Sequence, residues 1–469
     1  MLSMSQLLYP ILTFPYVSRV LQPDGLGAYN FIESVARYFI LIAALGTPIY
    51  GVRKIASLQN KIGDQDLAFR EVFTLNVLMT FFCCLIYFLV VRFLPGFEQR
   101  YNLYVIGLAY VFANGITCEW YFIGREDFKY LFFRTIIVRI LMIICVFIFV
   151  KTVNDLESYF LINTLSFIVL GFSNVYFVRH NLSWPLVSKI KFSNLKRHFK
   201  PLIFIFSSIF AVSIYLIFDT IILRLFTNDV AVGYYTAATK LNKVILTFLT
   251  AISTVLLPKL SLAFSSEQRA NAQQYLEKSL QLTFLICLPA MLFTFCLSKE
   301  LIVLFSGPEY LAAIPTMRIL TPIILIIGLT NVFGLQILNS LGKDKQFLKA
   351  VLLGAIVSLT LNLLLIPKIG LNGAAVSNLT AESTVLFMVF YYSRKEIKLS
   401  FSVGTLAKSM ASSFIFIPIA YGFKYFFHAP MIVASLSLFV GGILYIISNL
   451  FLGNKILVSA VNQILRVKV

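Results

Sequence analysis

Residues 14–29 read FPYVSRVLQPDGLGAY. This stretch closes one apolar segment, carries Arg19 and Asp24 through a turn marked by Pro23, Gly25 and Gly27, and opens the next segment. The pattern returns farther along the chain. Arg19-x4-Asp24-x2-Gly27-x-Tyr29 is echoed by Arg224-x4-Asp229-x3-Gly233-x-Tyr235, at offsets of 205 and 206. At 206, Arg37 also falls on Lys243 and Arg53 on Lys259, while Gly124-Arg125-Glu126 matches Gly342-Lys343-Asp344 at 218. Several echoes at nearly one offset predict a duplicated architecture.

Composition names the solvent. With 59% hydrophobic residues, 13% charged residues and a mean hydropathy of +0.88, the chain is no ordinary soluble globule; there, charged residues make up about a quarter. Apolar runs long enough to cross a bilayer recur from end to end. Fourteen spans are expected, the first twelve over roughly 3–20, 29–50, 71–94, 102–123, 131–150, 158–178, 201–226, 236–258, 276–298, 314–338, 347–366 and 372–393. A last pair covers roughly 404–427 and 430–451. Only helices suit, because backbone groups in hydrocarbon must be satisfied within the segment and the runs are too long and uniform for barrel strands. Cys83, Cys84, Cys118, Cys145, Cys287 and Cys296 all lie in apolar runs without metal or redox spacing and read as small core hydrophobes. The net charge of +19 is too dispersed for a nucleic-acid module, and membrane topology accounts for it better.

One set of connections holds 26 of the 39 Lys and Arg residues, including the run from Arg179 to Lys200, and is therefore expected to be cytoplasmic. Both termini then lie inside, in agreement with an even span count. No cation precedes the first apolar run, so it reads as a short span with a clipped start rather than a signal peptide. The expected organisation is an N-terminal six-helix bundle over 1–178, a basic cytoplasmic linker over 179–200, a second six-helix bundle over 201–393, and two extra transmembrane helices with a tail over 394–469. Six being even, both bundles enter the membrane the same way. The repeat is therefore parallel, about an axis along the membrane normal, as in transporters whose bundles rock about a central cavity. The fold class is all-α integral membrane.

Polar groups at membrane depth cost about 2.5–3.5 kcal/mol each at a helix centre, and so mark function by default. Span eight carries a stripe, Thr236, Lys240, Lys243, Thr247, Thr250 and Thr254, whose spacing keeps all six on one helical face. Span two repeats it faintly with Asn30, Ser34 and Arg37, and Glu33 lies one turn from Arg37. Span seven offers Asp219 and span twelve Asn378 and Glu382. Each has a bland reading: Glu33–Arg37 as an intrahelical ion pair, Lys240 and Lys243 as snorkelling cations, Asp219 as a partner for Arg224 or for a neighbouring helix. Glu119, Trp120 and Arg125 read as interfacial anchors. His180, His198 and His428 lie in connections and never meet a cysteine or carboxylate at metal spacing, and no nucleotide-binding or hydrolase motif is present. A transporter without an ATP site must draw on a gradient or on its substrate's own downhill flow, so H+ or Na+ coupling through Asp219, Glu382 or Glu33 is expected.

FPYVSRVLQPDGLGAYNF (14–31), CEWYFIGREDFKY (118–130), DTIIL with VGYYTAATKL (219–241), LLPKLS (256–261), NSLGKDK (339–345) and NLLLIPKIGLNGAAVSNLTAE (362–382) together resemble a Wzx-type flippase, the polysaccharide-exporter branch of the MATE-like (MOP) superfamily. The resemblance covers nearly the whole chain. It implies translocation of undecaprenyl-diphosphate-linked oligosaccharide units across the cytoplasmic membrane for O-antigen (lipopolysaccharide), capsule or exopolysaccharide assembly. It also implies a twelve-helix core plus a variable terminal pair, and relatives that carry a basic leader where this chain has none. A polysaccharide polymerase and a chain-length regulator are the protein partners that pathway implies. Such a substrate needs cations for its diphosphate, and Arg37, Lys243, Lys240, Arg19 and Arg224 are the available ones, with Arg139 as a further member. Two rivals are weaker. A drug/cation antiporter of the same superfamily would want an acidic cavity, and a membrane polysaccharide polymerase would need a sizeable outer loop with catalytic groups.

Overall fold

The computed structural model describes residues 2–58, 62–181, 192–265, 269–397, 403–454 and 457–458. In chain order its helices are α1 (Leu2–Ala44), α2 (Thr47–Ala56), α3 (Ile62–Val90), α4 (Tyr101–Gly115), α5 (Glu119–Gly124), α6 (Phe128–Phe149), α7 (Leu156–Asn181), α8 (Phe192–Phe226) and α9 (Asp229–Ser265). There follow α10 (Arg269–Cys296), α11 (Ser298–Phe305), α12 (Ile314–Leu320), α13 (Ile323–Thr330), a π-helical stretch (Asn331–Asn339), α14 (Asp344–Glu396), α15 (Val403–Ser413), α16 (Phe416–Phe426) and α17 (Pro430–Phe451). No strand occurs among the described residues. Large apolar side chains such as Phe133, Ile137, Ile140 and Ile144 stand exposed along α6, which suits a hydrocarbon solvent. Four of the six cysteines are buried, Cys84 and Cys145 are half-buried, and all six are free thiols.

Every expected span falls on helix, but the helices are less uniform than the apolar runs. Counted by length and apolar composition, nine segments among the described residues can cross a membrane, or ten if Pro308–Leu320 and Ile323–Asn339, bent by 44°, form one span. The count is below fourteen partly because α1 and α14 are kinked and each covers two expected spans. In addition, α8 and α9, which hold the seventh and eighth, fall outside that count. The kink in α1 is at Gln22, φ 57 and ψ 176. Pro23 pushes the residue before it out of the helical region, and a non-glycine residue at positive φ stores roughly 1–3 kcal/mol of strain. The break in α14 is at Ile369 and Gly370, just beyond Pro367.

The contacts divide the chain inside α9 into two units, Met1–Gly233 and Tyr234–Val469. In the first unit α8 packs on α1, α2 and α3, with Tyr38 of α1 edge-on to Phe218 at 5.7 Å and its hydroxyl donating to the Ser213 carbonyl at 3.2 Å. At one end of this unit the two copies of the opening motif meet. Gly27 faces the backbone of Asp229 so closely that a Cβ would lie 1.7 Å from the Asp229 carbonyl oxygen, and a Cβ on Gly233 would lie 2.1 Å from that of Pro23. An offset of 206 turns Gly27 into Gly233 and Pro23 into position 229. The glycine of each copy therefore receives the backbone of the other at the same place. Arg100, just before α4, ties the crossing with ion pairs to Asp24 at 2.7 Å and to Asp229 at 3.2 Å, the two aspartates that the echo equates. Beyond the crossing, Tyr29 packs edge-on against Tyr159 and Phe160 of α7. Its counterpart Tyr235, in the second unit, is hydrogen-bonded by Asn378 of α14 at 3.2 Å.

At the opposite end of the first unit Phe69 stacks on Trp120 at 5.3 Å, and Trp120 is buried rather than interfacial. The reason is Gly51 of α2, where even a Cβ would lie 2.4 Å from the indole. In the second unit, Gln336 of the π-helical stretch donates to Ser253 of α9 at 3.0 Å. The terminal helices pack on α10 and α11: Tyr445 donates to the Leu285 carbonyl at 2.8 Å, and Lys424 pairs with Glu300 at 3.0 Å.

The crossing sets a steric test. Gly27→Ala and Gly233→Ala are each expected to cost about 1–3 kcal/mol, the range for forcing extra atoms into a packed contact, read as a lower thermal midpoint of the purified protein. Gly25→Ala, whose Cβ would meet Leu21 at an ordinary 3.4 Å, is expected to melt like the parent. Equal melting of all three variants would contradict the close approach.

Candidate functional site

The residues singled out from the sequence fall into three local settings. Glu33 and Arg37 form an ion pair at 2.8 Å on α1, one helical turn apart, with the Glu33 side chain 14% exposed and that of Arg37 53% exposed. Around them on α1, α4 and α7 stand buried Asn30, Tyr29, Tyr110 and Tyr159, and Tyr9 donates to Asn163 at 2.9 Å. This is a polar, aromatic interior at membrane depth, with one carboxylate held by one guanidinium that remains half open. Half exposure leaves Arg37 donors for an anion while Glu33 fixes its direction.

Arg224 is placed differently. It is a partner of Asp229 rather than of Asp219, bonded through Nε and again from Nη2 at 3.5 Å, and its guanidinium lies 5.8 Å from the Phe31 ring. It belongs to the crossing at the end of the unit. Arg19 is exposed one turn before the Gln22 kink. Asp219 is buried on α8.

In the second unit Lys240 is half-buried and Lys243 exposed on α9, in the stripe expected from the sequence. Thr247 and Thr250 of that stripe hydrogen-bond the carbonyls four residues back, so their hydroxyls are satisfied by their own helix. The side chain of Thr254 lies outside the described residues. Glu382 is buried on α14, one turn beyond Asn378. Arg37 and Lys243 are repeat-equivalent in sequence and lie in different units.

Two clusters carry no signal in the sequence. Arg134 is buried and bonded to both Glu119 and Asn174, with the Glu119 side chain itself partly exposed. The second cluster centres on Glu71, whose side chain is fully buried and accepts from Arg197 and, at 2.8 Å, from His198 Nε2. The other imidazole nitrogen, Nδ1, lies 2.6 Å from the Tyr50 hydroxyl. His198 precedes the expected seventh span, and burial lowers its pKa from the ordinary imidazole value. The neutral ring therefore donates to Glu71 through Nε2–H and accepts the Tyr50 proton at Nδ1. His198 and Glu71 are 127 residues apart, a separation at which spacing rules for motifs are blind.

The profile of the family described as polysaccharide biosynthesis protein matches residues 1–264, and the MatE profile matches residues 203–364. A putative O-antigen transporter of Escherichia coli (strain K12) is 25% identical over 390 residues, covering 83% of this chain and 94% of that protein. A probable low-salt glycan biosynthesis flippase, Agl15 of Haloferax volcanii, is 25% identical over 250 residues, 52% of each chain. Among solved structures, the lipid II flippase MurJ in an inward closed conformation superposes with a TM-score of 0.73 at 15% identity, over 95% of this chain and 96% of that one, a likeness of fold. Its helices are apolar and multi-pass, and more than half its length matches one family profile: the chain belongs to the polysaccharide biosynthesis protein family, within the MATE-like superfamily of membrane transporters.

Proposed function

We propose that the protein is a flippase for undecaprenyl-diphosphate-linked oligosaccharide units, moving them from the cytoplasmic to the outer leaflet of the bacterial cytoplasmic membrane for surface polysaccharide assembly. The observation that carries this reading is the likeness to a putative O-antigen transporter along 94% of that relative's length. The chemistry fits. The glycan and diphosphate need a polar path through hydrocarbon, and the isoprenoid tail needs none. Arg37, half open beside Glu33, and Lys243, exposed on α9, are cations at membrane depth with the charge a diphosphate requires. In this reading the protein makes and breaks no covalent bond, both termini lie in the cytoplasm, and a polymerase and a chain-length regulator act on the units it delivers. A drug/cation antiporter is the second reading, favoured by the MatE profile. The carboxylate–guanidinium pairing of Glu33 weighs against it, since a cation substrate wants an unneutralised acid.

Arg37→Ala and Lys243→Ala are each expected to insert and accumulate normally and to lose most glycan export, with Arg37→Lys and Lys243→Arg partly active. Export at the parental level by both alanine variants at normal abundance would remove these cations from the path. The driving force is proposed to be an H+ or Na+ gradient acting through Asp219, Glu382 or Glu33, two of which are buried. Glycolipid transfer in energised membrane vesicles is expected to slow severalfold when the ion gradients are collapsed and when the responsible carboxylate is replaced by its amide. Transfer unchanged by collapse of every gradient would exclude coupling.

A further inference from the structure

The end of the first unit opposite the glycine crossing carries a feature that the flippase reading does not use. Between α2 and α8 lies a cavity of about 860 Å³, lined by Tyr50, Arg53, Lys54 and Lys200 and walled by Ile203 and Phe204. Arg53 and Lys54 come from the last turn of α2, and Lys200 precedes Pro201 in α8. Beside it, sharing Lys200 and Ile203, runs a second groove of about 710 Å³ whose walls are mainly apolar, with Leu75, Leu78, Met79 and Phe199, and to which Lys196 adds a further cation. A cationic chamber thus adjoins a mainly apolar channel.

Among the described residues, the nearby carboxylates are taken up by other partners. The carboxylate of this corner, Glu71, is sealed in the interior and engaged by Arg197 and His198, and Asp66 is engaged by Arg70. Among the described residues no ion pair reaches Arg53, Lys54 or Lys200. Three cations sharing one cavity repel each other, and an anion bound there relieves the repulsion and gains charge-assisted hydrogen bonds. Tyr50 lines the chamber wall with its hydroxyl proton already given to His198, so the cations alone offer donors to an anion.

We propose that this chamber and groove form a loading site for a lipid diphosphate. The diphosphate sits among Arg53, Lys54 and Lys200, and the first part of its hydrocarbon chain lies along Leu78, Met79 and Phe199. The charge balance favours a diphosphate over an ordinary phospholipid: a phosphodiester brings a single negative charge, and a diphosphate ester brings about two or more. The inference rests on the flippase reading and adds to it a second binding place, away from Arg37 and Lys243, where substrate waits before transfer.

The test is native mass spectrometry of the purified full chain with undecaprenyl diphosphate and, separately, phosphatidylglycerol. The parent is expected to bind the diphosphate lipid at least about tenfold more tightly than phosphatidylglycerol. Arg53→Gln/Lys54→Gln/Lys200→Gln is expected to lose that preference, and Arg53→Lys/Lys54→Arg/Lys200→Arg to keep it. If the first triple variant does not accumulate, Lys200→Gln at its exposed position carries the same test, with an expected loss of about threefold or more. Equal binding of both lipids by the parent would mean the cations merely meet bulk headgroups, and unchanged binding by the glutamine variants would place the lipid elsewhere; either result overturns the site. Glycolipid transfer by the same preparations separates the two readings. Transfer by parent and triple variant alike, with equal binding, removes the loading site and leaves the flippase. Selective binding without any transfer by the parent leaves the site and removes the flippase.

Discussion

The reciprocal contact of Gly27 with Asp229 and of Gly233 with Pro23 is the constraint on which the first unit's arrangement depends. Backbone meets backbone with no room for a Cβ on either side, so the two copies of the motif can cross only where both carry glycine. The same motif places the strained Gln22 kink beside the crossing and the Asp24 and Asp229 carboxylates on either side of Arg100. Their weights differ. Asp24 is 59% exposed, and its bond to Arg100 is worth little in water, about 1 kcal/mol or less. Arg224 and Asp229 are largely buried, and removing either would strand the other. The crossing is held sterically and by its buried pair, with the exposed bridge as a trim.

Charges elsewhere obey the solvent. Two carboxylates of the first unit are engaged by their neighbours: partly buried Glu33 by Arg37, and fully buried Glu71 by Arg197 and a neutral His198. Three cations, Arg53, Lys54 and Lys200, line the chamber between α2 and α8 at the end opposite the crossing. In the proposed path an anionic lipid would meet this cluster and, separately, the half-open Arg37.

Much of this was legible in residues 14–29 and their echo. The offset of 206 foretold which glycines are equivalent, and apolar runs placed the helices, because a bilayer leaves the backbone no alternative. From the sequence Trp120 reads as an interfacial anchor, because burial of its indole depends on Gly51, sixty-nine positions away in a different helix, and composition carries no trace of that gap. The Glu71–His198–Tyr50 chain escaped for the same reason: its members come from α3, α8 and α2, and a long-range hydrogen bond has no spacing signature. By its type Arg224 reads as a cavity cation, and its pairing with Asp229 across the turn that opens α9 carries no mark in that reading. The π-helical stretch at Asn331–Asn339 was invisible because its apolar pattern is that of an ordinary span.

These features converge on a membrane transporter whose family, crossing helices and unmatched cations suit a lipid carrying phosphate and sugar. The most direct measurement is transfer of a fluorescent undecaprenyl-diphosphate oligosaccharide in proteoliposomes, read by a membrane-impermeant quencher. The account predicts that label buried in the inner leaflet becomes quenchable only in vesicles holding the protein, and that fluorescent phosphatidylglycerol in the same vesicles stays protected. Protection of the glycolipid, or equal exposure of both lipids, would contradict it.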